Sequence, residues 1–203
     1  LFGSLCAGIF LTSCMERENE EASKRVIEVG KAISSPAELK ASDYFYEIRY
    51  VPLETRDDCL VGSSPDIKLL DKYILITSAN RQCLLFDKAT GKFKCQIGHV
   101  GKDPGGYRNV DCLVDELNGR LLFNGWGHDL ISYNLDGNYI GKIEVPCIQE
   151  NVYPSNCFVM NGDTIAGFFQ NTLGKEENRV IYFQEGGKLL ALLPNESQCT
   201  SFE

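Results

Sequence analysis

The chain has 203 residues, and its 28 acidic and 20 basic residues give a formal net charge of −8 at pH 7. This length is enough for one domain with a sizeable hydrophobic core. Binding to nucleic acid needs a basic stripe, and because no Lys or Arg residues cluster here, the composition argues against a nucleic-acid partner.

The first predicted element is a signal peptide with a lipid attachment site. An apolar run from Leu1 to Leu11 leads into Thr12, Ser13 and Cys14. A short apolar segment that ends in small residues before a cysteine is typical of lipoprotein processing sites. We therefore expect residues 1–13 to be removed and the Cys14 thiol to carry the lipid. The alternative is a buried apolar segment that happens to end in Cys. A membrane-spanning helix is not expected, because 11 residues are too few to span a bilayer.

Residues 14–43 are predicted to form the lipidated cysteine and a tether. No Met and no basic residue precede the apolar run, so we expect the signal to be truncated at its front. The acidic stretch Met15–Glu21 resembles in composition the export signal of surface-exposed lipoproteins of Bacteroidetes. The expected location is the cell envelope, as an outer-membrane lipoprotein, with surface exposure as a further expectation. Within the tether, only Val26–Val29 has the pattern of a strand.

Nine cysteines do not resolve into a disulfide framework. Without Cys6 in the signal and Cys14 at the lipid site, seven remain, an odd number. We favour reduced core cysteines, because a free Cys behaves as a small hydrophobic residue and a chain of this length needs no disulfide bonds for stability. No CxxC pair occurs, so neither a zinc site nor a redox motif is predicted. We expect no metal and no cofactor.

From Tyr44 onward the sequence has the pattern of an all-β protein. Short runs rich in Val, Ile, Leu, Phe and Tyr recur about every 8 to 12 residues, with Gly, Asn and Asp between them. These runs also follow a longer period, since Phe86 and Tyr133 lie 47 residues apart and Phe183 a further 50 along. Four strands in a unit of about 45 residues are typical of a β-propeller blade.

Three blades are predicted, with four strands each. The segments are 66–71, 73–78, 82–87 and 92–97; then 110–115, 120–125, 129–134 and 138–144; then 155–160, 163–169, 179–184 and 188–193. Turns are expected at Asp87–Lys92 and Asn134–Asn138, where Gly supplies a positive φ and Asp or Asn caps the turn. A calcium loop at Asn134–Asn138 is disfavoured because it lacks the downstream bidentate Glu.

The successive motifs Tyr50–Thr55, Phe86–Phe93 and Ile97–Tyr107 resemble those of the six-bladed β-propeller lipoproteins of Bacteroidetes, which are related to NHL-repeat proteins. The resemblance covers roughly residues 44–193 and implies the fold but little about chemistry. In that family the loop usually reads Gly-x-Gly-Pro-Gly-Glu-Tyr, whereas Asp103 and Gly106 replace the second Gly and the Glu here. If the family's acidic residue serves a ligand, this chain has lost it.

Residues 44–203 hold about three of the six blades, because six blades need about 270 residues. A partial propeller has unpaired edges and an exposed apolar flank. We expect the sequence to be a fragment at both ends; the alternative is a ring closed by two or more chains.

A candidate ligand-binding face follows from the blade pattern. Loops between the second and third strands, and between successive blades, emerge on one side of a propeller. The residues expected there are Arg81, His99, Arg108, Trp126 and His128. Trp126 would stack on a planar or sugar ligand while His128, Arg81 and Arg108 supply hydrogen bonds. The alternative is that Trp126 packs between blades and that both histidines are exposed loop residues.

The sequence favours a binding or interaction module over an enzyme. No nucleophile elbow, P-loop or nucleotide fingerprint is present, so no catalytic residue is predicted. The alternative is a metal-dependent lyase or hydrolase on the same face. Two His residues are few for that role, since a catalytic zinc normally takes three protein ligands. The expected partners are the membrane, through the lipid anchor, and a small molecule, glycan or protein on the propeller face.

Overall fold

A computed structural model describes residues 29–34, 38, 40–79, 81–148, 152–170 and 176–196. The predicted signal peptide, Cys14 and residues 15–28 of the tether lie outside the described residues. The chain divides into two units, Leu1–Ile48 and Arg49–Glu203. In the first unit, helix α1 covers Val29–Ser34 and a 3₁₀ turn covers Ala41–Asp43. Val29, the last residue of the predicted early strand, is therefore helical.

None of the helices in the described part of the chain is long and apolar enough to cross a membrane.

The second unit is built from twelve strands in three antiparallel sheets of four, each with its strands in chain order. Blade 1 contains β1 (Asp66–Leu69), β2 (Tyr73–Ser78), β3 (Gln82–Asp87) and β4 (Phe93–Gln96). Blade 2 contains β5 (Cys112–Asp115), β6 (Arg120–Asn124), β7 (Asp129–Asn134) and β8 (Tyr139–Glu144). Blade 3 contains β9 (Asn156–Val159), β10 (Thr164–Phe168), β11 (Asn178–Gln184) and β12 (Leu189–Pro194). The predicted all-β fold of partial propeller blades is confirmed.

The same irregularity occurs in all three blades. The pairing of the third with the fourth strand shifts register between Leu85 and Phe86, between Ser132 and Tyr133, and between Tyr182 and Phe183. A bulge of this kind increases the local twist of a strand pair. The outer strand of each blade therefore bends away at the residues that carry the sequence repeat.

The hairpin turns between third and fourth strands are held by the side chains predicted to cap them. The Asp87 carboxylate accepts hydrogen bonds from the backbone N–H groups of Ala89 and Thr90 and from the Thr90 hydroxyl. In the next blade, the Asn134 side-chain oxygen accepts from the N–H groups of Asp136 and Asn138. Both turns contain a Gly with positive φ. Turn chemistry therefore accounts for Asn134–Asn138, as predicted.

Apolar side chains fill the two interfaces between blades. Between blades 1 and 2, the buried Tyr107 ring stacks on Phe123 with 4.1 Å between ring centroids, and Tyr133 meets both rings edge-on. Between blades 2 and 3, the buried cluster includes Leu122, Ile165 and Phe183, among others. Buried aromatic pairs of this kind are worth about 0.5–1.5 kcal/mol beyond the area they bury.

A buried charge network joins the far ends of blades 2 and 3. The carboxylate of Asp115, which is 1% exposed, accepts from the Arg120 Nε–H at 2.7 Å. The same guanidinium also donates to Glu185 of blade 3 at 2.9 Å. Two carboxylates thus compensate a guanidinium that the fold has removed from water.

The two flanks of the blade stack differ. The outer flank of blade 1 is covered by the segment 51–59, where Val51, Leu53 and Cys59 pack against β2, β3 and Phe93. On blade 3, by contrast, Phe158 and Phe168 contact each other edge-on while remaining 53% and 38% exposed. This is the exposed apolar flank that was expected of a partial propeller.

Candidate functional site

The connection between blades 1 and 2 contacts the turn between β6 and β7. The indole N–H of Trp126, in the turn between β6 and β7, donates to the carbonyl of Gly101 in the connection between blades at 2.7 Å. The backbone N–H of Arg108 donates to the carbonyl of Asn124 at 2.8 Å. We give the name loop face to the surface formed by turn 125–128 and connection 97–111, together with Arg81 in the corresponding turn of blade 1.

The connection between blades is a tight loop fixed in the core. Tyr107 is fully buried, and its hydroxyl donates to the Ile97 carbonyl at 2.8 Å. A Cβ on Gly106 would lie 2.5 Å from the carbonyl oxygen of Gly101. No side chain fits there without movement of the backbone, so position 106 requires Gly in this loop.

Asp103 makes a polar contact within the loop. Its carboxylate lies 2.7 Å from Nε2 of His99, and both side chains are largely exposed. A backbone hydrogen bond and the His99 ring hold the pKa of Asp103 below its usual value. The Asp103 carboxylate therefore orients the imidazole of His99.

Trp126 is a surface side chain, so the alternative that it packs between blades is wrong. Its side chain is 50% exposed, and the Lys102 ammonium lies 4.8 Å from the ring centroid. The bond to Gly101 fixes the orientation of the indole, and the cation–π contact adds about 0.5–1 kcal/mol at an exposed site. A half-exposed indole held in this way provides a preformed surface for stacking.

A second cluster surrounds His128. Its imidazole stacks on the Tyr153 ring with 3.9 Å between centroids and 6° between planes. Arg108, Asp129 and Ser155 line the same cleft, which has a volume of about 50 Å³. A hydrogen bond with the Cys147 thiol raises the pKa of Tyr153. Sequence reasoning missed Tyr153, because it lies on an irregular segment outside the repeat.

The five predicted residues thus do not form a single pocket. The structure places Trp126 beside the loop of His99, and Arg108 beside His128, with both clusters joined through turn 125–128. Arg81 lies on the corresponding turn of blade 1 and contacts neither cluster. No hydrogen bond, ion pair or ring contact engages the Arg81 side chain within the part of the chain that is described.

The backbone conformation of Arg81 and His128 is unusual. Their φ angles are +62° and +55°, a left-handed conformation that hairpin loops normally assign to Gly or Asn. The two residues lie 47 residues apart, the spacing of the blades themselves. Each costs roughly 1–2 kcal/mol relative to an unstrained conformation. Strain of this kind at a corresponding position in two blades marks the loop face as a candidate site.

Buried polar atoms without partners lie beside the same turns. The Ser78 hydroxyl and the side-chain oxygens of Gln82 and Asn109 are inaccessible and have no hydrogen-bond partner among the described residues. Ser78 and Gln82 are paired across the ends of β2 and β3, directly beside the turn that carries Arg81. Buried polar groups are rarely left without a hydrogen-bond partner, so the side chains at this end of blade 1 can form hydrogen bonds with a ligand.

A larger cavity lies at the opposite end of the blades, where sequence reasoning had predicted no site. It has a volume of about 430 Å³ and lies between the hairpin turns of blades 1 and 2. On its wall, the Lys94 ammonium donates to the Tyr73 hydroxyl at 2.8 Å and pairs with Asp136 at 2.9 Å. Partial burial lowers the pKa of Lys94, but the bonds to Tyr73 and Asp136 outweigh this effect and raise the pKa above its ordinary value. The residues that line this cavity come from turns of different blades and share no sequence motif.

In the part of the chain that the structure describes, no group of three His, Cys, Asp or Glu side chains converges on a point that could hold a metal ion.

Several solved structures are similar to this chain. A protein of Bacteroides fragilis that is assigned as exported is 20% identical with a TM-score of 0.54, and the match covers 74% of this chain and 43% of that one. BamB from Moraxella catarrhalis is 13% identical with a TM-score of 0.40 over 64% of this chain and 34% of its own. A protein of unknown function from Bacteroides caccae is 13% identical with a TM-score of 0.42 over 66% and 50%.

The chain spans less than half the length of the Bacteroides fragilis protein, and at this identity the likeness concerns the fold alone. No curated protein matches the sequence. The family described as "Domain of unknown function (DUF4934)" matches residues 24–202. Since this match covers most of the sequence, the chain belongs to the DUF4934 family.

Proposed function

We propose that the protein is a binding module of the bacterial cell envelope, anchored to the outer membrane by a lipid on Cys14, and that its ligand is an acidic glycan bound on the loop face. The apolar run that ends at Cys14 supports the anchor. The likeness to an exported Bacteroides protein agrees with a location outside the cytoplasm.

One observation carries the choice of the loop face. Arg81 and His128 occupy corresponding turns of two blades in a conformation that disfavours both residue types. Neither is needed there for folding, because Gly or Asn would serve the turn with less strain. A cationic or polar side chain that occupies the turn despite this cost points to a role for the side chain itself.

The chemistry of the face suggests the ligand class. Arg81 and Arg108 provide guanidinium groups, which bind carboxylates through paired hydrogen bonds. Trp126 and Tyr153 provide aromatic rings, which pack against the apolar faces of sugars. A chain with a net charge of −8 repels acidic polymers in general, so binding of an acidic glycan would depend on the cationic side chains of this face.

The single tryptophan makes this proposal directly testable. Trp126 is the only Trp in the chain, so its fluorescence reports on the loop face and on no other surface. We expect uronic-acid oligosaccharides to change its emission in a saturable way, and neutral oligosaccharides of the same length to have little effect. Arg81→Gly, which relieves the turn, should fold normally and weaken binding about tenfold, the loss expected for one charge-assisted contact.

Two results would contradict the assignment. If no oligosaccharide changes the emission of Trp126, the loop face does not bind glycans. If calorimetry detects binding that leaves Trp126 unchanged and is abolished by Lys72→Glu in the opposite cavity, the ligand lies at the other end of the blades.

The anchor has an independent test. Radiolabelled palmitate should enter the protein when it is expressed in a bacterial host, and should be absent from Cys14→Ala. Label that persists in the variant would refute Cys14 as the attachment site, whatever the loop face binds.

A further inference from the structure

The residues that form the buried charge network between blades 2 and 3 correspond to uncharged residues between blades 1 and 2. Strand register identifies the corresponding positions. Tyr73 begins the second strand of blade 1 and pairs with Asp87. Arg120 begins the second strand of blade 2 and pairs with Asn134 in the same way. Tyr73 therefore stands where the next blade has the buried guanidinium.

The two carboxylates of that network correspond to leucines. Leu70 donates its backbone N–H to the Tyr73 carbonyl at 2.9 Å, and it stands in the position of Asp115. Leu135 directly follows the third strand of blade 2, as Glu185 follows that of blade 3. All three uncharged residues line the cavity of about 430 Å³ at the turn end of blades 1 and 2. The cavity thus lies where the next pair of blades is joined by ions, and its lining is apolar at these positions.

Charged groups with unused hydrogen-bonding capacity lie on the same cavity. The Lys94 ammonium has three donors and uses two of them, on the Tyr73 hydroxyl and on Asp136. The Lys72 ammonium and the Asp71 carboxylate form no hydrogen bond or ion pair with any other residue that the structure describes. Both signs of charge are therefore available to a ligand.

A further carboxylate comes from blade 2. One oxygen of Glu116 accepts the backbone N–H of Asp71 at 2.7 Å, which leaves its second oxygen available. A ligand with only a carboxylate would be repelled by these two acidic groups, and a ligand with only an ammonium would be repelled by Lys72. A ligand that carries one group of each sign can pair with both sets.

We propose that this cavity binds a short peptide of apolar residues with free termini. The ammonium groups of Lys72 and Lys94 bind its C-terminal carboxylate, and the carboxylates of Asp71 and Glu116 bind its N-terminal ammonium. Its side chains pack against the two leucines and the Tyr73 ring. The volume is within the range of about 300–1,000 Å³ that is usual for small-molecule sites. The site lies apart from the loop face and depends on neither the lipid anchor nor a glycan.

Calorimetric titration with trileucine tests the ligand class. We expect saturable binding of one peptide per chain. Acetylation of its N-terminus or amidation of its C-terminus should each weaken binding about tenfold, because each removes a charge-assisted contact. Triglycine should bind at least about tenfold more weakly than trileucine, because it has no apolar side chains to bury. The emission of Trp126 should not change, since that residue lies on the loop face.

Two variants test the location. Lys72→Glu should weaken trileucine binding at least about tenfold, because it reverses the charge of a group that pairs with the peptide carboxylate. Its matched control is Lys188→Glu, the same change at an exposed position of blade 3, which should leave the affinity unchanged. The double variant Tyr73→Arg with Leu135→Glu introduces two members of the ion network at the turn end of blades 1 and 2. It should fill the cavity and abolish binding.

Several outcomes would overturn the proposal. Equal affinity for trileucine and for its blocked forms would refute recognition of the termini, and equal affinity for octanoate would identify a simple anion site. Trileucine binding that Lys72→Glu leaves unchanged, or that alters the emission of Trp126, would place the peptide elsewhere. The absence of any heat of binding would refute the site. None of these results concerns the glycan, and a loop face that fails to bind uronic acids would leave the peptide site intact.

Discussion

Replacing Arg81 by Gly should stabilise the protein, although Gly destabilises the interior of helices and strands. Arg81 has a φ of +62°, where a residue with a Cβ costs roughly 1–2 kcal/mol and Gly costs nothing. Gly also increases the conformational entropy of the unfolded chain, which costs about 0.5–1 kcal/mol. The net gain is therefore about 0.5–1 kcal/mol, or roughly 1–4 °C in Tm for a domain of this size.

The matched control for this change is Arg81→Ala. Alanine removes the same charge and side chain but keeps the left-handed strain, so its free energy of unfolding should stay within about 0.5 kcal/mol of wild type. Urea unfolding followed by circular dichroism gives both values from the shift in midpoint at constant slope. If Arg81→Gly is no more stable than Arg81→Ala, the turn stores no strain and the main support for the loop face as a binding site is lost.

Further variants probe other parts of the structure. Asp115→Asn should lower the free energy of unfolding by about 3 kcal/mol in chemical denaturation, because the charge of the buried Arg120 guanidinium is then only partly compensated. Glu185→Gln, at the half-exposed end of the network, should lower it by less than about 1 kcal/mol. Equal effects of the two variants would refute the buried network. Gly106→Ala should destabilise by about 1–3 kcal/mol and shift the tryptophan emission, because its Cβ meets a backbone carbonyl, while Gly127→Ala should be nearly neutral. The pKa of Asp87 is lowered by its bonds to Thr90, so this contribution to stability is present above the unfolded pKa and lost as pH falls through the folded one. Acid melts of Asp87→Asn should accordingly lose less stability below about pH 4 than wild type, and parallel curves would contradict this.

The strands could be predicted because each blade repeats one local pattern. The predicted segments 82–87 and 129–134 coincide with β3 and β7, the central strands whose apolar runs end in capped turns. The early strand at Val26–Val29 had no such support. Its only described residue, Val29, begins a helix. A short apolar run with neither a turn signal nor a repeat does not distinguish the two secondary structures.

The site was only partly predictable, because side-chain contacts depend on how loops of different blades meet. The repeat placed Trp126 and His128 on the correct turn, but neither the bond from the indole to Gly101 nor the stack on Tyr153 has a sequence signal. The cavity beside Tyr73 was missed for the same reason. Its lining comes from turns whose residues are ordinary hairpin residues when considered one at a time.

The bulge shared by the three blades has a consequence for exchanging parts between them. A bulge inserts one residue into a strand, and a one-residue slip turns every following side chain to the opposite face of the sheet. The same register shift lies beside Phe86, Tyr133 and Phe183. The three outer hairpins therefore share one register, and a hairpin exchanged between two blades should keep its pairing without redesign.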